Sequence, residues 1–443
     1  MNKMNQELLI INVWICQIEG NSISPVFGGI FIRERKIESI FRGEGIPNSL
    51  TNQNCKVIEG SGRVVTIPNV NFHDHFYSRL AKGLDIKGST ENFTKILENL
   101  WWKLDLLLDE EMVRASAVQG AADSIKNGVT YIFDHHASPT FTSGSLKTIS
   151  DVLTEYNLRG VLCFESSSRN GDEMQRLGLE ENLNFHKRHT NDDIKALFGL
   201  HASFTLNDEL IKRASELVNE NKMGIHIHLC EDKSDKELSI AKFGKSSLQR
   251  LIDHNLLSEK SILAHGVHLS GSEIDQISNS GASIVFNPDS NMNNAVGLPD
   301  YDLMISKIST LAGTDGMHAN VAKSIKQIFL LMRNAGYSFD KAFGYIIKIY
   351  FDQLNFVKKY FPDFTSLQLG ERADLIMWDY IPPTLFNSGN FWGHYLYGMT
   401  ECGIHSVVQN GEVLLENFKL NKEVDLKFIA EQGKILLKKF NNS

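Results

Sequence analysis

The five cysteines, Cys16, Cys55, Cys163, Cys230 and Cys402, are scattered over 443 residues and never fall as CxxC. An odd, dispersed set indicates neither a disulfide framework nor a cysteine-ligated zinc. Long apolar runs are also missing: no stretch approaches the roughly 20 residues of a membrane-spanning helix. The opening "MNKMNQELLIINVWICQIEG" has one early lysine and an apolar run broken by Asn12, Gln17 and Glu19, so it reads as a strand, not a secretory signal. Basic excess is absent. Lys plus Arg number 45 against 53 Asp plus Glu, a formal net charge of -8, with no interleaving of basic and aromatic residues. Nucleic acid and anionic membrane are therefore not expected partners, and the expected location is cytoplasmic. The HExxH helix of zinc proteases and the PCxxC of the cytidine-deaminase fold are missing too.

What is present changes texture twice. Residues 1–67 read as short strands, in "LLIINVWICQI", "GGIFIRERKIESIF" and "CKVIEGSGRVVTIP". From residue 68 to 365 short apolar strands ("VTYIFDHH", "RGVLCFESS", "IKALFGLHAS", "MGIHIHLCE", "KSILAHGVHL", "GASIVFNP", "ISTLAGTDG") alternate with amphipathic segments such as "DEEMVRASAVQGAADSIKNG". With the strand before His73 this makes eight βα steps, the pattern of a parallel sheet closed into a barrel. After residue 366 the strands return, and a Lys-rich helix, "KFIAEQGKILLKKF", ends the chain. The expected fold is α/β: a (β/α)8 TIM-like barrel over 68–365, with a small composite β-sandwich subdomain built from 1–67 and 366–443.

Functional groups of such a barrel sit at the C-terminal ends of its strands. Four strand ends carry groups that bind metals. His73 and His75 are two apart, which puts both on one face of a strand, with Asp74 turned away. His226 and His228 share a face in "HIHLCE", with Glu231 just beyond; His265 follows in "LAHGVHL" and Asp315 in "GTDG". Singly, each has an ordinary explanation: a chance HxH, a hydrogen-bonded core histidine, a turn aspartate. Together, on four strands of one barrel, they point to a metal site.

The series "HDH", "HLCE", "AHGVHL", "NPDSN" and "GTDG" resembles the amidohydrolase superfamily, in its branch of cytosine, guanine and adenosine-type deaminases and triazine hydrolases. "LGERADLIMWD" and "QNGEVLLEN" look like that family's return to the β subdomain. "ENFTKILENLWWKLDLLLDEE", "FDHHASP", "GLHASFTLND" and "NPDSNMNNAVG" look most like its SsnA aminohydrolase group. One departure is visible: His73 follows Pro68 by five residues, one fewer than the family pattern.

Read with the resemblance, His73, His75, His228 and Asp315 are the metal ligands, and mixed His/carboxylate ligation suits Zn first, with Fe or Mn as alternatives. The third and fourth strand ends, "RGVLCFESSSRNG" and "IKALFGLHASF", show no lysine there to carry a bridging carboxylate, so one divalent metal is expected. Asp315 takes the proton of the attacking water, Glu231 protonates a ring nitrogen, and His265 orients the water. His201 matches a substrate-contacting histidine of the family. Arg169, Trp102 (or Trp101) and His136 (or His135) are the other expected substrate contacts, with His226 behind the ligands and His268 in a turn. The implied activity is a metal-dependent aminohydrolase that attacks a C–N bond of a purine-related heterocycle. Ring opening of a cyclic amide or amidine is the alternative, and a non-catalytic scaffold is the third reading. The resemblance also implies a homodimer.

Overall fold

The computed structural model describes residues 7–50 and 55–443; residues 1–6 and 51–54, which the expected 1–67 unit includes, lie outside it. Eight parallel strands position the site: β1 (Asn69–Asp74), β2 (Val129–His136), β3 (Arg159–Phe164), β4 (Phe198–Ala202, after a short Ile194–Ala196 strand), β5 (Ile225–Leu229), β6 (Ile262–His265), β7 (Ser283–Phe286) and β8 (Ser309–Ala312). β1, β2, β3 and Ile194–Ala196 pair in that order, as do β4 to β8. Single bridges, Ser166 to Leu200 and Asp74 to Asp315, link the two sheets into a ring.

Every residue of β2 is buried. That follows from a parallel strand covered by helices on one side and barrel core on the other, and it explains the near-continuous apolar run "VTYIF". Phe72 and Phe133 meet at 4.9 Å between ring centroids inside this core. The intervening helices start where their capping residues say. Asp109 accepts from Met112 N at the head of Glu110–Lys126, Asn207 accepts from Leu210 N at the head of Asp208–Asn221, and Ser270 and Glu273 form a capping box.

The β1/β8 seam is held by polar groups. Asn71 Nδ2 donates to Asp74 Oδ2 at 2.8 Å and to Thr314 Oγ1 at 2.7 Å, while the N–H groups of Thr314 and Asp315 both donate to the His73 carbonyl at 3.0 Å. Asp74 turns away from the barrel mouth and pairs with Arg79, both side chains fully buried. Gly313 lies so close that a Cβ there would sit 2.9 Å from both the Cβ and the carbonyl oxygen of His73.

Beside the barrel lies a nine-stranded sheet. Its N-terminal strands (Leu8–Glu19, Ser22–Arg33, Lys36–Arg42, Lys56–Glu59, Val64–Thr66) join its C-terminal ones (Leu375–Trp378, Ile404–Gln409, Glu412–Glu416, Lys419–Leu420) where Val64–Thr66 runs antiparallel to Leu375–Trp378. The stretch "GGIFIRERKIESIF" is a hairpin, because Glu34 and Arg35 both adopt positive φ (50° and 67°) and turn the chain in two residues. The closing helix, Leu426–Asn442, returns to the barrel, where Lys439 Nζ meets Asp109 at 2.7 Å. Among the described residues no helix is long and apolar enough to cross a membrane.

Candidate active site

At the C-terminal mouth of the barrel, ring closure brings together residues from β1, β5 and β8 that are far apart in the chain. His75 Nε2 lies 2.9 Å from Asp315 Oδ1 and 3.2 Å from His228 Nε2; His73 Nε2 lies 3.7 Å from the same Asp315 oxygen. The ring protons are placed by their acceptors. His75 Nδ1 faces the His135 carbonyl at 2.5 Å and His228 Nδ1 the His201 carbonyl at 2.9 Å. Carbonyls only accept, so each Nδ1 carries a hydrogen, and in the neutral ring each Nε2 keeps its lone pair. Backbone carbonyls hold ligating histidines in this way at metal sites. His73 Nδ1 contacts His226 Nε2 at 2.9 Å, and His73 Nε2 is buried with no hydrogen-bond partner among the described residues. An orphaned nitrogen beside two converging Nε2 atoms and a carboxylate is a donor set that fits one divalent cation.

Electrostatics agree with that reading. Burial disfavours charge on His73 and His228 and holds both well below the usual histidine range. Burial acts on His75 too, yet the Asp315 carboxylate lifts it to about 10, and Asp315 in turn is held well below the usual carboxylate range by His75 despite its own burial. Asp315 thus draws positive charge to this point. Its Oδ1 also accepts from Gly316 N at 2.8 Å and its Oδ2 from Ser290 Oγ at 2.5 Å. Asp315 and His265 hold φ of +54° and +76°, conformations costing on the order of 1 kcal/mol each and concentrated at functional sites.

Above this cluster opens a cavity of about 740 Å³, counting the space at its mouth. Glu231 lines it, 3.5 Å from His265 Nε2 and 3.3 Å from Asn294 Nδ2. Burial, reinforced by the charge of Asp315, pushes the Glu231 carboxyl up to about 7. His265 Nδ1 meets Asn291 Oδ1 at 2.8 Å, and its buried Nε2 has no hydrogen-bond partner among the described residues. An apolar cluster including Phe93, Leu97, Phe204, Val267 and Val296, packed against Trp101 and Trp102, forms the outer wall. The segment after β1 that supplies both tryptophans is helical, with a π turn over Leu97–Trp101.

The expected substrate contacts separate here. His201 and Trp102 line the cavity, their rings 6.3 Å apart, and Trp101 lines it as well. Arg169 stands behind that wall, with its guanidinium 4.7 Å over the Trp102 ring and 3.0 Å from Asp105. His136 is a correction: it does not line the cavity. It is fully buried, bonded to Ser138 Oγ at 2.8 Å, and its ring packs against Tyr77 and Phe164. Strand alternation turns its neighbour His135 inward instead, stacked on His226 at 4.5 Å. His226 lies behind His73, and His268 ties the Val296 carbonyl at 2.7 Å. Sequence reasoning missed Glu165, which directly follows β3 and is buried on the cavity wall. The signal is a carboxylate at a strand end, in "CFESS".

A barrel of this kind, with imidazoles and a carboxylate gathered at its strand ends beneath an open-mouthed cavity, is the architecture of a small-molecule hydrolase. A family model, Amidohydrolase family, matches residues 64–347, and the chain belongs to that family. It is accordingly a hydrolase of carbon–nitrogen bonds other than peptide bonds. The 5'-deoxyadenosine deaminase of Methanobrevibacter smithii is 27% identical over 413 residues, 89% of each chain. The 5-methylthioadenosine/S-adenosylhomocysteine deaminase of Thermoanaerobacter pseudethanolicus is 26% identical over 380 residues, 84% of this chain and 86% of its own. The fold is shared with an adenosine deaminase from Xanthomonas campestris with bound zinc, at a TM-score of 0.74, 17% identity and 99% coverage of both chains.

Proposed function

We propose that the protein is an aminohydrolase that uses one divalent metal, zinc, to remove ammonia from a purine-type heterocycle. The observation that carries this reading is that His73, His75 and His228 cluster with His135, and that Asp315 lies 2.9 Å from His75 and 3.7 Å from His73, beneath a cavity whose wall holds a protonatable Glu231. Support for the purine class comes from the relatives named as deaminases of 5'-deoxyadenosine and 5-methylthioadenosine. No lysine lines the cavity among the described residues, which favours a single metal.

A divalent ion held by His73, His75, His228 and Asp315 would supply Lewis acidity, making hydroxide available near neutral pH. The protein's own groups do the rest. Asp315, its carboxylate fixed by Ser290 and Gly316, accepts the proton of the attacking water at the oxygen nearest the ligands. Glu231, with its pKa at about 7, delivers a proton to the ring nitrogen next to the attacked carbon, which offsets the charge developing there. His265 directs its unpartnered Nε2 between Glu231 and Asp315, 3.5 and 3.9 Å away, and so orients the water. Trp102, Phe204 and their apolar neighbours keep bulk water from the reacting carbon. Asp315 passes its proton to the amino nitrogen, the hydroxyl on the tetrahedral carbon returns a proton to Glu231, and collapse expels ammonia.

The test is a screen of zinc-loaded protein against adenine, guanine and pterin compounds and their nucleosides, scoring ammonia and product mass. Ammonia with exchange of the amino group for oxygen is the expected result. A product heavier by one water without ammonia establishes ring opening instead. Metal far below one equivalent, together with a silent His228→Ala, returns the scaffold reading.

A further inference from the structure

Glu165 is held as a site residue is held. Its N–H donates to the His136 carbonyl at 2.8 Å, the next N–H, of Ser166, donates to Gly199 O at 3.2 Å, and Asn182 clasps the preceding Phe164 through both its N–H and its carbonyl at 2.9 Å. The backbone that carries the carboxylate is therefore tied to both strands that flank it. It is only 4% exposed, yet its Oε1 has no hydrogen-bond partner among the described residues. Its nearest candidates are engaged or fall short. His75 Nδ1, 3.3 Å away, gives its single hydrogen to the His135 carbonyl, and His135 Nδ1 stands at 3.4 Å without a bond. Arg169, the cation on this wall, is turned to Asp105 and Trp102.

Beside it, His201 offers a second acceptor. Thr205 Oγ1 donates its one hydrogen to the Ala202 carbonyl at 2.8 Å, so at 2.9 Å it accepts from His201 Nδ1. That leaves the lone pair of a neutral His201 on Nε2, 3.9 Å from Glu165 Oε2. Two acceptors stand side by side on a cavity wall, and among the described residues no donor is hydrogen-bonded to Glu165 Oε1. A buried acceptor left bare is costly, and a site built around one discriminates sharply against ligands that lack its partner.

We propose that Glu165 is a specificity-determining residue that, with His201, takes hydrogen bonds from O–H or N–H donors on the substrate edge away from the reacting amine. This rests on the purine reading above. The donor is either a sugar hydroxyl of a nucleoside or a ring N–H of a free base; the chemistry recognised is the same.

The experiment uses zinc-loaded protein carrying Glu231→Gln to slow turnover, with and without Glu165→Gln. Calorimetry compares 5'-deoxyadenosine with 2',3',5'-trideoxyadenosine, and guanine with 9-methylguanine, and zinc content is measured in parallel. The expected result is a preference for the donor-bearing member of one pair that Glu165→Gln reduces by about ten- to a hundredfold, with zinc content unchanged. Glu165→Asp, which keeps the carboxyl group but withdraws it by one methylene, reduces the same preference less. Which pair responds names the donor. A preference that survives Glu165→Gln, an equal loss for both members of each pair, or a fall in zinc content overturns the assignment while leaving the purine reading intact. Binding of none of the four overturns both.

Discussion

Arg79→Met strands a charge beneath the two strand-end histidines. The Asp74 and Arg79 side chains are both 0% exposed, and apart from Arg79 the Asp74 carboxylate has Asn71 Nδ2 at 2.8 Å. Methionine keeps much of the arginine's volume against the Phe76 ring, over which the guanidinium lies at 5.6 Å, but it removes the counter-charge. Breaking a buried pair from one side typically costs about 3–5 kcal/mol. The size here is limited by an escape: Asp74, whose pKa burial already raises, takes up a proton. Starting from its ordinary value of 3.8, neutralising it costs at most about 4 kcal/mol at pH 7 and about 1.6 kcal/mol at pH 5, at 1.36 kcal/mol per pH unit. The penalty of Arg79→Met relative to the parent should therefore shrink on acidification, and Asp74→Asn/Arg79→Met should recover more than half of the pH 7 loss. Urea unfolding of zinc-free protein at both pH values reads this from the midpoint shift at constant slope. Equal penalties at pH 5 and pH 7, or a double variant no better than Arg79→Met, would refute the reasoning.

Three other outcomes follow from the same geometry. Glu231→Gln should lower kcat by about 10² to 10⁴ while zinc content, measured by atomic absorption, stays at the parent level, because Glu231 is not among the proposed ligands. Gly313→Ala forces a Cβ against the backbone and Cβ of His73, so equilibrium competition with a chelator should show zinc affinity at least about tenfold weaker. Burial pushes the Asp235 carboxyl up to about 6, against its bonds from Ser247 and Cys230 N. A raised carboxyl binds its proton more tightly in the folded state, so this group's stabilisation is present at pH 4 and lost as pH rises through 6. Asp235→Asn should thus gain on the parent by up to about 3 kcal/mol between pH 4 and pH 7 in parallel unfolding series; a difference independent of pH would contradict it.

Local rules reached a definite distance into this molecule. The alternation of short apolar strands with amphipathic helices marked where each barrel strand ends, and the two-residue side-chain period placed His73 and His75 on one face with Asp74 opposed. Strand ends are where a barrel collects its chemistry, so His228, Glu231, His265 and Asp315 were legible as candidates from position and residue type alone. The same period says that His135 and His136 point oppositely; it does not say which points inward. That phase depends on how β2 is registered between β1 and β3, and the tertiary structure turned His135 to the axis and His136 onto Ser138. Glu165 carried a legible position but no legible partner, since what makes it notable is a bare oxygen flanked by residues of β1, β2 and β4. Likewise Arg169 reads from the sequence as a substrate contact, and only the fold brings Asp105, from the helical segment after β1, within 3.0 Å of it. The Asn71–Thr314 bond at the seam joins residues 243 apart. Contacts of that range are made by ring closure, which no periodicity in a single strand encodes; the sequence alone determined which groups reach the barrel mouth, and only closure decided which of them meet.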